Sequence, residues 1–292
     1  MRILTLMVRH GTEKYVEALP KLDEIYGSRM PGALRRTVVI DNALPQGHVE
    51  PGRGGITVVG GDNSAWEFSA WGEGIRFVGA ELDGYDLVHI VTSAFDTLYT
   101  GYLERFDDAL LAEVARLRIA CGHVDYYGEP VSFLTDVSRH WIRSSFLFLA
   151  PAELRRLGSL VSVGPAQRAA IFSGDPAAPF RVDAPMSDNY KRYITDWLLG
   201  AGTGQGTEWH SRFELTSETL DFFEQKTLAI FNEQMLSIRL RAQGCMLADT
   251  LWAATTLGRD GRLPNLTPPW RVQLAERAWN SVSLEKTRLP ET

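Results

Sequence analysis

The stretch that decides the fold is TVVIDNALPQGHVEPGRGGITVVGGDNSAWEFSAW, residues 37–71. It holds two short apolar runs, 37–40 and 56–59, each β-branched or aliphatic and each bounded by Gly, Pro or Asp. Such runs read as strands buried on both faces. Two more flank them: residues 3–8, and residues 87–91 after Asp86. Helical patterns fill the gaps. Tyr15, Leu19, Leu22 and Tyr26 recur at spacings of three and four, with Thr12 as the expected cap, Pro20 in the first turns or at a kink, and Gly27 and Ser28 as the stop. Trp66, Ala70 and Trp71 share a second helix face, which Gly72 and Gly74 are expected to end. Strands alternating with helices predict an α/β fold with a mainly parallel, Rossmann-like sheet flanked by helices.

In such sheets ligands bind beyond the carboxyl ends of the strands. Four polar clusters fall there: Arg9 with His10, Asp41 with Asn42, Asp62 with Asn63, and Thr92 and Ser93 running on to Asp96. One cluster alone reads as caps and turns. Four in register with four strand ends read as a ligand-binding rim.

Further on, residues 142–149 read as a strand followed by a short helix ending at Gly158. Residues 161–215 are rich in Gly, Pro, Asp and Ser and show no long periodic segment, too long for an ordinary connector. Within them GAGTGQGT, 200–207, reads as a flexible loop, since it lacks the Lys and Ser/Thr of a phosphate loop. A helix is expected from about Glu218 to Gln243. Its apolar stripe is Leu220, Phe223, Leu228, Phe231, Met235 and Ile238, with Gly244 as its cap. The segment after Gly258 is expected to be peripheral.

Composition narrows the class. The 292 residues are 45% hydrophobic and 23% charged, ordinary for a globular chain. A net charge of −6 without a basic run beyond two residues argues against nucleic acid as a partner. Two cysteines exclude a disulfide scaffold and a thiolate zinc site. No apolar stretch approaches the roughly 20 residues of a membrane helix. The N-terminus opens at once on a strand pattern, which argues against a cleaved signal peptide. A cytoplasmic protein is the expectation.

Two resemblances follow from these residues. LMVRHGTE, 6–13, resembles the opening of the histidine phosphatase family, which would make His10 of Arg9-His10-Gly11 a nucleophile on phosphorus. That family needs a second, late His in a strand-end context. The one His after His140 is His210, in EWHSRF, without such context. The second resemblance runs in order from residue 1 to about 250. The segments VIDN at 39–42, GGDNSAWEFSAWGEGI, HIVTSAFD, FLFLAPAELRRLG and NEQMLSIRL with Gly244 look like the inverting, family 2-type glycosyltransferases of the glycosyltransferase-A fold. GGDN, DYYG (125–128) and WIRSSFLFL also look like the rhamnan-synthesis proteins of bacterial surface polysaccharide assembly, such as O-antigen or capsule.

The second resemblance implies one catalytic domain over 1–258. Its nucleotide-binding part would be about 1–120, its acceptor and catalytic part about 121–258, with 259–292 as a peripheral segment. It implies a nucleotide-sugar donor held by Arg9, His10, Asp41, Asn42, Asp62, Asn63, Thr92, Ser93 and Asp96. Glu233 would be the base, its pKa raised by aromatics such as Trp209. Asp188, Trp209, His210 and Arg212 would hold a saccharide or lipid-linked acceptor, the latter with peripheral contact at the inner membrane face. A carbohydrate-binding relic without catalysis is the third reading. The family's metal-binding Asp-x-Asp is replaced by Thr92-Ser93-Ala94, leaving Asp96 as the one carboxylate for Mg or Mn. That departure favours a metal-independent reaction, with Arg9, His10, Lys191, Arg192 or Arg212 neutralising the leaving group.

Overall fold

The apolar run at the N-terminus forms β1 (Arg2–Arg9), in which every residue from Ile3 to Val8 is buried. A strand can be apolar on both faces only if both are covered, and here they are. After α1 (Ala18–Arg29) come β2 (Leu34–Asp41), β3 (Val49–Pro51), β4 (Thr57–Gly60), α2 (Trp66–Val78) and β5 (Leu87–Thr92). Next are α3 (Asp108–Leu117), β6 (Ala120–Gly122), the hairpin β7 (Val124–Phe133) and β8 (Asp136–Ile142), β9 (Phe146–Leu149), α4 (Pro151–Leu157), α5 (Arg168–Ile171) and α6 (Asp188–Leu199). The chain continues through α7 (Leu220–Ala242), β10 (Leu247–Asp249), α8 (Thr250–Asp260) and α9 (Trp270–Ser281). The structure is a computed structural model and describes residues 1–97, 100–200 and 213–281.

Eight strands form one sheet in the order β10-β6-β9-β5-β1-β2-β4-β3. β3 and β9 run against the other strands, so the sheet is mixed but mainly parallel. One face packs Phe68 and Trp71 of α2, Leu154 of α4 and Leu236 and Leu240 of α7. The other packs Leu22 and Tyr26 of α1, Leu110 and Val114 of α3 and Trp252 of α8. A separate cluster joins the hairpin to α6 and α7 through Tyr127, Phe133, Tyr190, Ile194 and Phe231. Among the described residues no helix is long and apolar enough to cross a membrane.

Several sequence expectations are corrected. α1 begins at Ala18 with no side-chain cap from Thr12, and it continues through Gly27 and Ser28 to Arg29. Pro20 lies in its first turn, where its missing N–H costs nothing. α2 passes through Gly72 and Gly74 and stops at Gly79, whose φ is 58°. Gly74 is a packing residue: a Cβ there would stand 2.9 Å from Ile40 Cδ1. The strand expected over 142–149 is two strands, because 143–145 turn away to the rim. α6 lies inside the region read as aperiodic, with Tyr190, Ile194 and Leu198 buried at four-residue spacing. Residues 259–281 pack against the body of the chain. Leu263 is buried, Gln273 accepts from Asp249 N at 2.7 Å, and Arg277 donates to Asp249 Oδ2 at 3.0 Å.

Candidate active site

The parallel register aligns the strand ends. Arg9 pairs with Asp41, Asp41 with Gly60, and Val8 with Thr92. The rim residues therefore stand side by side, and their hydrogen bonds give each a distinct job. Asp41 is buried and turned inward. Its Oδ1 accepts from Gly11 N at 2.8 Å and Ala43 N at 3.0 Å, and its Oδ2 from Arg9 Nε at 2.7 Å. Burial pushes this carboxyl up, but the two N–H donors and the guanidinium outweigh it and hold it below its usual value. Arg9 is thus fixed through Nε, while its two terminal nitrogens have no hydrogen-bond partner among the described residues.

Asn42 is likewise a brace. Its Nδ2 donates to Asn63 Oδ1 at 3.0 Å and to Trp66 O at 3.3 Å. It fits because residue 61 is glycine: a Cβ there would stand 2.0 Å from Asn42 Oδ1. Asp62 caps the turn Asn63–Ala65 by accepting from Ser64 N at 2.8 Å. His10, Asn63 and Asp96 are exposed, and Thr92 and Ser93 partly so.

Glu233 reaches the same end of the sheet from α7, which packs against α2 and the Asn63–Ala65 turn. Ser144 donates both its N–H (2.8 Å) and its hydroxyl (2.9 Å) to Glu233 Oε1. The next residue, Ser145, accepts from Thr92 N at 3.1 Å. Oε2 has no hydrogen-bond partner among the described residues. Burial raises the Glu233 carboxyl to about 7, against the pull of the two Ser144 donors and of Arg143; the charge of Glu67 adds to the rise. Arg143 Nε donates to Asp125 Oδ2 at 2.5 Å.

Around Glu233, α7 is polar where a core helix is usually apolar, and its polar groups hold neighbouring segments in place. Asn232 Oδ1 accepts from Ser162 N and Val163 N at 2.8 and 2.9 Å. Gln234 accepts from Tyr190 Oη at 2.6 Å and donates to Tyr127 Oη. Ser237 Oγ accepts from Ile142 N at 2.9 Å. Arg239 donates to the carbonyls of Leu157 and Ser159. Removing one such partner strands the other in the core. Gln234→Leu is therefore expected to cost about 2–3 kcal/mol, measured by urea unfolding. A loss below a few tenths would show that Tyr127 and Tyr190 find other partners.

Not every expected site residue gathers here. Asp188 is on the outer face of α6, its side chain 98% exposed, and its ion pair is with Lys191. α6 itself packs onto β7. Trp209, His210, Arg212 and most of the glycine-rich loop lie outside the described residues. Tyr102, Tyr127 and Tyr190 lie close enough to Glu233 for its charge to act on them. Four residues were missed in the sequence: Trp66, Glu67, Arg143 and Ser144. The polar Arg-Ser-Ser interruption inside WIRSSFLFL was the available signal for two of them.

Among the described residues no group of three or more His, Cys, Asp or Glu is placed to hold a metal, and Asp96 is a lone exposed carboxylate. For phosphoryl chemistry, the late His that would partner His10, His210, lies outside the described residues.

No model of a known protein family and no curated protein matches the chain. Among solved structures it is similar to the mannosyltransferase PcManGT from Pyrobaculum calidifontis, in complex with GDP-Man and Mn2+. The likeness covers 96% of this chain and 80% of that one, at 12% identity and a TM-score of 0.36. That is too slight to assign a fold family or a substrate.

Proposed function

We propose that the chain is an inverting glycosyltransferase of the glycosyltransferase-A type. It moves a sugar from a nucleotide-sugar donor to a saccharide or lipid-linked saccharide, in bacterial surface-polysaccharide assembly. The observation that carries this reading is the pairing, at one end of the sheet, of a carboxylate poised near neutrality and a tethered guanidinium with free donors. An acid near pH 7 is matched to general-base work in the cell's pH range. A guanidinium held by one nitrogen and open at two others suits a diphosphate.

In this reading Glu233 Oε2 takes the proton of the acceptor hydroxyl as that oxygen attacks the anomeric carbon. The bond from that carbon to the diphosphate oxygen breaks on the opposite side, which inverts the centre. Arg9 stabilises the charge that develops on the leaving diphosphate. Asp41 and Asn42 act by holding Arg9, Asn63 and the Trp66 carbonyl, while His10, Asp62, Thr92, Ser93 and Asp96 present the polar atoms that face the nucleotide.

The test is thermal denaturation with UDP, GDP, dTDP and their sugars, with and without Mn2+ or Mg2+. Stabilisation by at least one is expected; no shift with any of them would sink the proposal. Arg9→Ala should weaken the stabilising nucleotide by about 10- to 100-fold, the worth of lost charge-assisted hydrogen bonds. An unchanged affinity would remove Arg9 from the donor site.

A further inference from the structure

The rim carries backbone strain outside its glycines. Trp66, at the start of α2, has φ 52° and ψ −127°, a conformation that suits glycine and that side chains with a Cβ rarely adopt. Such backbone persists only where its surroundings over-determine it, and it collects at ligand sites. Here Asn42 Nδ2 and Ser69 Oγ both donate to the Trp66 carbonyl, at 3.3 and 3.1 Å, tying the twisted peptide to the rim.

The indole is thereby set apart from the packing face of α2. Phe68 and Trp71 are buried against the sheet, whereas Trp66 stays partly exposed beside α7. Lys226 Nζ lies 4.7 Å from its ring centroid, and the Phe222 ring lies 6.0 Å away, tilted by 41°. Lys226 and Phe222 are one turn apart on α7, so they cover the same side of the indole. Glu67, next in the chain, is close enough to Glu233 and to Lys226 for its charge to be felt by both. An aromatic plane, a carboxylate and an ammonium are thus gathered at one point of the rim, and the carboxylate lies close enough to Glu233 to act on it.

We infer that Trp66 is the stacking platform of a saccharide subsite, with Glu67 and Lys226 hydrogen-bonding the hydroxyls of the sugar that rests on it. This rests on the transferase reading, in which the subsite holds the acceptor beside Glu233. The apolar C–H face of a pyranose lies on the indole, and the ring hydroxyls point to the flanking charged groups. The strain at Trp66 is then the cost of holding the ring where packing alone would not put it.

The experiment uses the full chain with methyl α-D-mannoside, methyl α-L-rhamnoside, methyl β-D-glucoside and methyl β-D-galactoside as probes. Saturation-transfer NMR should show transfer from the protein to the ring C–H protons of at least one. In Trp66→Ala and Trp66→Gly the affinity for that probe should fall roughly three- to tenfold, the worth of one aromatic contact. Thermal denaturation should place Trp66→Gly above Trp66→Ala, because glycine relieves the strain that alanine keeps. No transfer from any probe, undiminished affinity in both variants, or an alanine variant as stable as the glycine one would each overturn the inference. UDP and GDP run alongside separate the two ideas. Nucleotide binding without glycoside binding leaves the transferase reading and removes the subsite. Glycoside binding without nucleotide binding does the reverse.

Discussion

Glu233→Gln is expected to lower turnover by about 10²- to 10⁴-fold while leaving nucleotide affinity unchanged. The amide keeps an oxygen for the two Ser144 donors, so the side chain holds its place, and only its ability to take a proton is lost. In the wild type, kcat should rise with pH to a plateau above about 7, as the carboxyl becomes ionised. The residual rate of the variant should lack that rise. The same substitution has an opposite effect on stability. The folded chain holds the Glu233 proton up to about 7, whereas an unfolded chain releases it near 4.5. Stability is therefore full below about 4.5 and declines as pH rises through that window. Glutamine removes the decline and should make the variant about 1–2 kcal/mol more stable than wild type at pH 8, but not at pH 4. Urea unfolding at the two pH values measures the difference. A variant with wild-type turnover, or one that is less stable at pH 8, would show that the carboxylate is a structural group.

The largest effect on stability is expected at Asp249. It is fully buried, and four donors converge on it: Val124 N, Leu251 N, Trp252 N and Arg277 Nη1, at 3.0 to 3.1 Å. It caps α8, anchors α9 and fixes the start of β7. Asp249→Ala takes the carboxylate from the partly buried Arg277 guanidinium, which keeps the Val124 carbonyl, and leaves the α8 cap and the Val124 amide empty, a loss of about 3–5 kcal/mol. The damage should extend to activity. Val124 precedes Asp125, which pairs with Arg143 beside Ser144, so the perch of Glu233 rests on this anchor. Denaturant midpoints and kcat of Asp249→Ala and Asp249→Asn check both effects. Asparagine should recover part of the stability, since it keeps the acceptor for the cap. A loss under about 1 kcal/mol in the alanine variant would mean that the Arg277 pair behaves as an exposed ion pair.

The four central strands were legible because a parallel sheet buried on both sides demands unbroken apolar runs, and residues 3–8, 37–40, 56–59 and 87–91 have no other use. The polar rim followed, since side chains just past such runs emerge at one end of the sheet. What failed was local. Gly72 and Gly74 look like a helix stop, but α2 passes close over Ile40, and a Cβ at 74 would crowd Ile40 Cδ1. Asp41 and Asn42 look like ligand groups, yet their hydrogen bonds go to the chain itself, which no spacing rule reveals. α6 was invisible because three apolar positions, Tyr190, Ile194 and Leu198, are embedded in charged residues. Glu233 was located by resemblance, while Ser144 and Arg143, which hold it and shape its proton affinity, are distant in sequence and meet it only through the fold.

The two margins of the sheet carry a consequence for the behaviour of the protein at high concentration. β3 is three residues long, wholly exposed and ends in Pro51, which has no N–H to offer another chain. β10 is equally short, and the Gln273 side chain of α9 occupies the Leu247 carbonyl and the Asp249 amide. Neither border presents a long ladder of unpaired amides, so sheet-to-sheet aggregation has no template at either side.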